Sequence, residues 1–223
     1  MKRTFLTTGD GSITIHLPDW DEQYHSKHGA IAEAQHVFIK TGLHYICDKH
    51  ACNTLSILEI GFGTGLNSFL TFLESKQKDF QLKYTGVEAY PIEENEIQGL
   101  NYAKLLDVSE EDFQKLHTTE WEVETSISST FQLTKRKQFF SEIDDKKDFH
   151  LIYFDAFGAK VQPELWTLDI FKKMFDALKN EGVLVTYSAK GSVRRNMEAA
   201  GFIVERLPGP PGKREMLRAT KHL

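Results

Sequence analysis

The chain has no apolar run approaching the ~20 residues of a membrane-crossing helix, which argues against an integral helical membrane protein. It has two cysteines, Cys47 and Cys52, too few for a disulfide framework, and no second pair accompanies them to complete a zinc site. Such sparse thiols fit a reducing, cytoplasmic setting. The N-terminus, MKRTFLTTGDGS, has basic residues but no apolar stretch behind them, so it does not read as a secretory signal. Of nine histidines, His25 and His28 form one close pair, which reads as surface or active-site polarity before metal. Internal repeats, low-complexity linkers and surplus positive charge are also missing; the net charge is −5, which does not advertise nucleic-acid binding.

What is present suits one α/β domain with additions: 223 residues, 40% hydrophobic and 26% charged. The charge is unevenly placed. Residues 88–124 hold 11 acids and 2 bases, whereas residues 186–223 hold 8 bases and 3 acids. A local basic face can hold phosphates whatever the global sign, though charge alone reads equally well as solvated surface.

Thr4–Thr8 and Ser12–Leu17 flank Gly-Asp-Gly, a hairpin signal. From Ala30, apolar or small residues at 34, 37, 38, 41 and 45 form the stripe of an amphipathic helix. Leu55–Ile60 reads as a strand, Leu66–Phe72 as the start of a helix, and Leu82–Val87 as a second strand. Pro91 suits the first turn of a helix after it. Ser109-Glu-Glu-Asp112 has the form of a capping box. Phe131–Leu133 starts a third strand, and Phe149–Phe154 is apolar enough for a central one. Pro163–Leu178 and Ser192–Ala200 read as helices around a strand at Gly182–Tyr187. Gly-Pro-Pro-Gly separates a last antiparallel pair, Phe202–Leu207 and Glu215–Ala219. These elements predict a doubly wound, mostly parallel α/β sheet with a reversed edge strand. A hairpin-helix extension over 1–50 precedes a core over 51–223, which carries an acidic insertion near 105–130.

The chemistry concentrates where strands end. Gly61, Gly63 and Gly65 follow the first core strand, and Glu88 closes the second strand 23 residues after the last glycine. Strand, glycine turn, helix and acid-ended strand make a nucleotide-cofactor half-site, in which the acid accepts from ribose hydroxyls. The GxGxG spacing differs from the GxGxxG that seats a pyrophosphate on a helix N-terminus. It favours S-adenosylmethionine, which has no phosphate. Asp155 follows Leu151-Ile-Tyr-Phe154 and should emerge at the same sheet edge, facing the cofactor's reactive end. Alone it reads equally well as a cap for the helix near Pro163. Lys190, Arg194, Arg195, Lys213 and Arg214 flank strand ends at this edge and suit either phosphate contact or solvated surface. Phe154, Phe157 and Trp166 suit either a stacked base or core.

Three passages resemble one family, the methyltransferase domain of MnmC and its stand-alone MnmD-type relatives. They are Glu59-Ile-Gly-Phe-Gly-Thr-Gly-Leu-Asn67, Asp155-Ala-Phe-Gly-Ala-Lys-Val-Gln-Pro-Glu-Leu-Trp166, and Gly209-Pro-Pro-Gly-Lys-Arg-Glu-Met-Leu217 preceded by Ser192-Val-Arg-Arg195. Tyr24-His-Ser-x-x-Gly-Ala-x-x-Glu33 is similar to the family's N-terminal segment. The resemblance implies a Rossmann-like class I S-adenosylmethionine-dependent methyltransferase. It also implies methyl transfer to the 5-aminomethyl group of wobble 2-thiouridine in tRNA, giving 5-methylaminomethyl-2-thiouridine. It makes Asp155 the catalytic group, with Gly61, Phe62, Gly63, Gly65, Asn67, Glu88, Tyr24 and Glu33 toward the cofactor. Phe157, Lys190, Arg194, Lys213 and Arg214 then face tRNA, and no metal is implied.

Two departures from the family stand out. Relatives usually carry proline where this chain has Ala159. Many have an acid after the third strand, to meet the adenine amino group, where this chain reads Lys135-Arg-Lys-Gln-Phe-Phe140. Gln138 and Ser141 are the substitutes in reach. No oxidase domain is expected in this chain, so another enzyme would supply the aminomethyl nucleoside. The competing readings are an enzyme acting on a small free amine, as an N-methyltransferase or aminopropyltransferase-like protein, and a cofactor-binding scaffold without catalysis.

Overall fold

A computed structural model describes residues 2–49, 54–77 and 81–222; Cys52 lies outside them. The expected hairpin pairs β1 (Thr4–Thr7) with β2 (Ile13–Leu17), and β3 (Glu22–Gln23) adds a short third strand. Asp10 at the hairpin tip accepts from the Ser12 backbone (3.1 Å) and from the Ala32 backbone (2.9 Å). That bond ties the hairpin to the helix that follows.

This helix begins as α1 (Ala30–Ala34), widens into π turns over Gln35–His44, and ends as α2 (Tyr45–Lys49). The expected stripe put positions 41 and 45 inside. The wider turns bring Gly42, Leu43 and Ile46 there instead, and Thr41 donates its hydroxyl to the His36 carbonyl at 2.7 Å. Gly42 allows the close approach, since a Cβ there would lie 3.0 Å from Val185 and 3.2 Å from Tyr153.

The main sheet is built from β4 (Thr54–Ile60), α3 (Leu66–Gln77) and β5 (Gln81–Val87), then α4 (Glu94–Gln98), α5 (Tyr102–Leu105) and α6 (Glu110–Thr118). β6 (Thr125–Ser126), β7 (Phe131–Arg136), β8 (Phe149–Phe154), α7 (Leu168–Ala177), β9 (Leu178–Thr186), α8 (Gly191–Ala200), β10 (Ile203–Pro208) and β11 (Glu215–Thr220) complete it. The order is β10-β11-β9-β8-β4-β5-β7-β6. The doubly wound α/β sheet is therefore present. Its long reversed strand, β11, runs antiparallel to both neighbours one place in from the edge, and the short β6 reverses at the other edge.

Side chains alternate along β4. Leu55 and Ile57 face the α3 side with Phe69 and Phe72, while Leu58 and Ile60 face the α7 side with Phe171 and Met197. The acidic stretch also contributes to the core: Phe113 of α6 packs on Phe69 with ring centres 5.1 Å apart.

Three local expectations are corrected. Pro91 lies in the loop before α4, which is capped by Glu93, because Glu93 and Glu96 form the reciprocal capping pair. Ser109 does cap α6, but Asp112 turns to Lys76 instead of back to the cap, so the box is half formed. The span from Pro163 is a 3-10 turn to Trp166 and then α7, and β9 starts four residues early at Leu178. No helix among the described residues is long and apolar enough to cross a membrane.

Gly86 of β5 lies over the Phe62 ring, and an added Cβ would come within 2.3 Å of it. Gly86→Ala is expected to destabilise the fold by about 1–3 kcal/mol through overpacking, read as a lower urea midpoint at unchanged slope.

Candidate active site

Strand order reverses between β4 and β8, whose neighbours lead away in opposite directions. Crevices outside the carboxyl ends of strands at such a point are where open α/β sheets bind ligands. A cavity of about 1180 Å³ opens there, lined among others by Gly61, Gly63, Asn67, Glu88, Asp155 and Tyr24.

The glycine turn uses its own N–H groups. Gly61 and Phe62 both donate to the Val87 carbonyl (3.0 Å each), Gly63 donates to the Glu88 carboxylate (3.0 Å), and Gly65 donates to Phe62. Gly61 has φ +89°, and a Cβ there would lie 2.6 Å from the Asp155 carbonyl oxygen. Gly63 has φ +50°, and its Cβ would press on the Tyr24 ring at 3.1 Å. The Glu88 carboxylate also accepts from Tyr90 N–H at 3.0 Å, which leaves two of its four lone-pair directions. This turn presents a carboxylate where a phosphate cradle would present N–H donors, so it suits a nucleoside diol without a phosphate beside it. S-adenosylmethionine has that chemistry, and the residues fit it.

Asp155 follows β8 and takes a hydrogen bond from Asn67 Nδ2 at 2.8 Å; the same nitrogen donates to Glu59 Oε1 at 2.9 Å. Burial, then the nearby Glu33 carboxylate, raises Asp155 to about 7, against the pull of the Asn67 bond and the Lys213 charge. Glu33 accepts from Ser26 N–H (2.8 Å) and pairs with Lys213, whose Nζ lies 3.8 Å over the Tyr187 ring. Tyr187 in turn donates to the Ala156 carbonyl at 2.8 Å. The loop after Asp155 is also held by Trp166 Nε1 on the Phe157 carbonyl (2.7 Å) and by Val161 and Gln162 N–H on Gly158. These bonds hold the loop although residue 159 is alanine.

Aromatic side chains wall both ends of the cavity. Phe157 meets Tyr24 and Trp20 edge-on, at 4.9 and 6.0 Å between ring centres, while Tyr90 meets Phe139 at 6.0 Å near Glu88. His25 also lines it; burial lowers its pKa to about 4, and its Nδ1 lies 2.9 Å from Thr14 Oγ1.

Not every expected residue comes to the cavity. Gly65 packs on His117, where a Cβ would lie 3.0 Å from the ring, so it serves the turn and not the lining. Glu33 and Lys213 lie outside the lining as a pair. Lys213, expected to contact phosphate, has its charge matched by Glu33 while its side chain stays 31% exposed. Phe154 and Trp166 are buried with Phe171, which makes them core. Lys190 and Arg214 are exposed at this sheet edge, and Arg194 lies 3.6 Å from Glu198; none of the three lines the cavity. Near the end of β7, Lys135 turns inward to the His117 carbonyl (2.6 Å); beyond the strand, Ser141 lines the cavity whereas Gln138 does not.

Sequence reading missed Glu59, Trp20, Tyr187 and Arg3, all near the cavity, whereas His25, read as surface or active-site polarity, lines it. An acid inside the apolar run Leu55–Ile60 was the readable signal for Glu59. Arg3 left none, since it reaches Glu96 (2.9 Å) and the Tyr90 carbonyl (3.0 Å) only through the fold. Among the described residues, no group of three or more His, Cys, Asp or Glu side chains is placed to hold a metal ion.

With this geometry in view, residues 100–222 match the family described as S-adenosyl-L-methionine-dependent methyltransferase. The chain belongs to that family. It is 31% identical over 212 residues to the tRNA 5-methylaminomethyl-2-thiouridine biosynthesis bifunctional protein MnmC of Leptospira borgpetersenii serovar Hardjo-bovis, covering 89% of this chain and 32% of the relative. The MnmC protein of Marinomonas sp. is 30% identical over 217 residues, covering 90% and 31%. The chain thus spans about a third of the length of these curated relatives. Among solved structures, MNMC2 from Aquifex aeolicus shares the fold with a TM-score of 0.80 at 24% identity, covering 100% of this chain and 71% of that one. Spermidine synthase from Thermotoga maritima shares it more loosely, at 0.55 and 15%, covering 99% and 72%.

Lys213→Met strands the largely buried Glu33 carboxylate and is expected to destabilise the fold by roughly 1–3 kcal/mol. Adding Glu33→Gln should recover part of that loss in a double-mutant cycle by urea denaturation.

Proposed function

We propose that this chain methylates the 5-aminomethyl group of wobble 2-thiouridine in tRNA, giving 5-methylaminomethyl-2-thiouridine. The observation that carries the reading is Asp155, held by Asn67 in one cavity with the glycine turn and Glu88. The names of the MnmC relatives support the substrate, and the Asp-Ala-Phe and Gly-Lys-Arg-Glu-Met-Leu passages support the likeness. Residues 1–50 then extend a methyltransferase core at 51–223, and a tRNA substrate puts the reaction in the cytoplasm.

When bound, S-adenosylmethionine supplies an electrophilic methyl on a good leaving group. Glu88 would hold the ribose hydroxyls, the glycine turn and Tyr24 would enclose the nucleoside, and Ser141 with Phe139 would be the residues to meet the adenine. Asp155 accepts an N–H bond from the acceptor amine, aims its lone pair and stabilises the cation that forms. Attack needs little else, so positioning supplies most of the acceleration. Phe157 and Trp20 offer stacking faces to the target base, and Lys190, Arg194 and Arg214 meet phosphates along the same edge.

The deciding experiment transfers labelled methyl from S-adenosylmethionine to tRNA from cells lacking this protein, followed by nucleoside analysis. Label in 5-methylaminomethyl-2-thiouridine supports the reading; label only in small free amines rejects it. Asp155→Ala should abolish turnover with cofactor still bound, and Glu88→Ala should weaken cofactor binding at least tenfold. Because the carboxylate is the working form, the rate should rise with pH through about 7 and fall below it. Replacing Lys190 and Arg214 together should weaken tRNA binding and flatten its salt dependence, measured as the slope of log affinity against log salt.

A further inference from the structure

The amide of Asn67 sits between two carboxyl groups, and its orientation follows from chemistry. Turned the other way, its oxygen would face the Asp155 carboxylate and lose the bond to it; as placed, Nδ2 gives one N–H to Glu59 Oε1 and one to Asp155 Oδ2. Both donors are then in use. Only Oδ1, buried without a protein partner, remains for a ligand.

Glu59 is fully buried on the α3 face of β4, and its Oε2 has no partner. The groups bearing on it are the Tyr84 phenol from β5, the Tyr153 phenol from β8, the Asn67 amide from α3, and the carboxylates of Asp155 and Glu88. Every charged group among these is negative. An ionised Glu59 would have the Asn67 amide and the Tyr84 phenol to favour it but no cation. It would also face two other carboxylates in a dry site, a costlier state than the neutral acid.

We propose that Glu59 and Asn67 are a positioning pair for Asp155. Glu59, as the neutral acid, anchors the amide, and the amide fixes one Asp155 oxygen inward and leaves the other to the acceptor. Asn67 therefore acts through Asp155 in addition to any contact it makes with the cofactor. This inference rests on the role given to Asp155 above. Burial of Glu59 and the two neighbouring carboxylates also raise its proton affinity well above the ordinary carboxyl range, in agreement.

The test combines a readout of charge with a readout of reaction. The unfolded chain releases the Glu59 proton near pH 4.5, whereas the folded chain keeps it, so this residue costs stability increasingly as pH rises above 4.5. Gln cannot titrate. Glu59→Gln should match the wild-type thermal midpoint at pH 4 and exceed it at pH 8. In single-turnover methyl transfer to tRNA, Glu59→Gln should preserve the pH midpoint. Glu59→Leu and Asn67→Ala should each move it upward by about one unit, the weight of a lost hydrogen bond to a charged group. If Glu59→Leu does not fold, Asn67→Ala carries the same readout.

A Glu59→Gln protein less stable than wild type at pH 8, or a midpoint unmoved in Asn67→Ala, would overturn the pair. An Asp155→Asn protein with full turnover would instead remove the role of Asp155, while the stability comparison would still report the charge of Glu59.

Discussion

The carbonyl of Val87 accepts two backbone N–H groups, from Gly61 and Phe62, and the site is arranged around that joint. It locks the ends of β4 and β5 together and obliges the chain to double back through left-handed glycines before α3 can begin. The reversal brings Gly63 N–H onto Glu88 and starts α3 where Asn67 reaches Asp155. Remove the joint and these three side chains would lose their common frame.

Acidity at the strand ends is the second constraint. Glu33, Glu59, Glu88 and Asp155 lie close enough to influence one another, with Lys213 as the nearby cation. A low-dielectric edge cannot hold four anions, so the fold distributes them unequally. Glu88 is fixed by two backbone donors, Glu33 by an ion pair, Glu59 by burial in an uncharged form, and Asp155 is left poised between forms.

Much of this was legible in the chain. Hydrophobic period and glycine spacing fix the strands, the turn, Glu88 and the edge to which Asp155 belongs, because all depend on local sequence. The π turns over Gln35–His44 were not legible, since periodicity assumes a regular helix and the widening answers the sheet beneath Gly42. The place of β11 was also hidden, as a hairpin signal does not say which strand faces outward. Within the site, spacing, charge and likeness pointed Gly65 and Lys213 toward a ligand, and none of them could show that His117 and Glu33 pack against them. Both partners lie far off in sequence, beyond any reading of spacing.

The bond between Glu33 and Lys213 spans 180 positions of chain. A ribosome emitting this protein from its N-terminus exposes Tyr24, His25 and the glycine turn long before Lys213 appears. The growing polypeptide thus holds an unmatched acid until the loop between β10 and β11 arrives. Non-local closures of this kind are slow steps in folding. The segment that carries Glu33 therefore gains its last ion-pair partner only when the loop between β10 and β11 docks beside it.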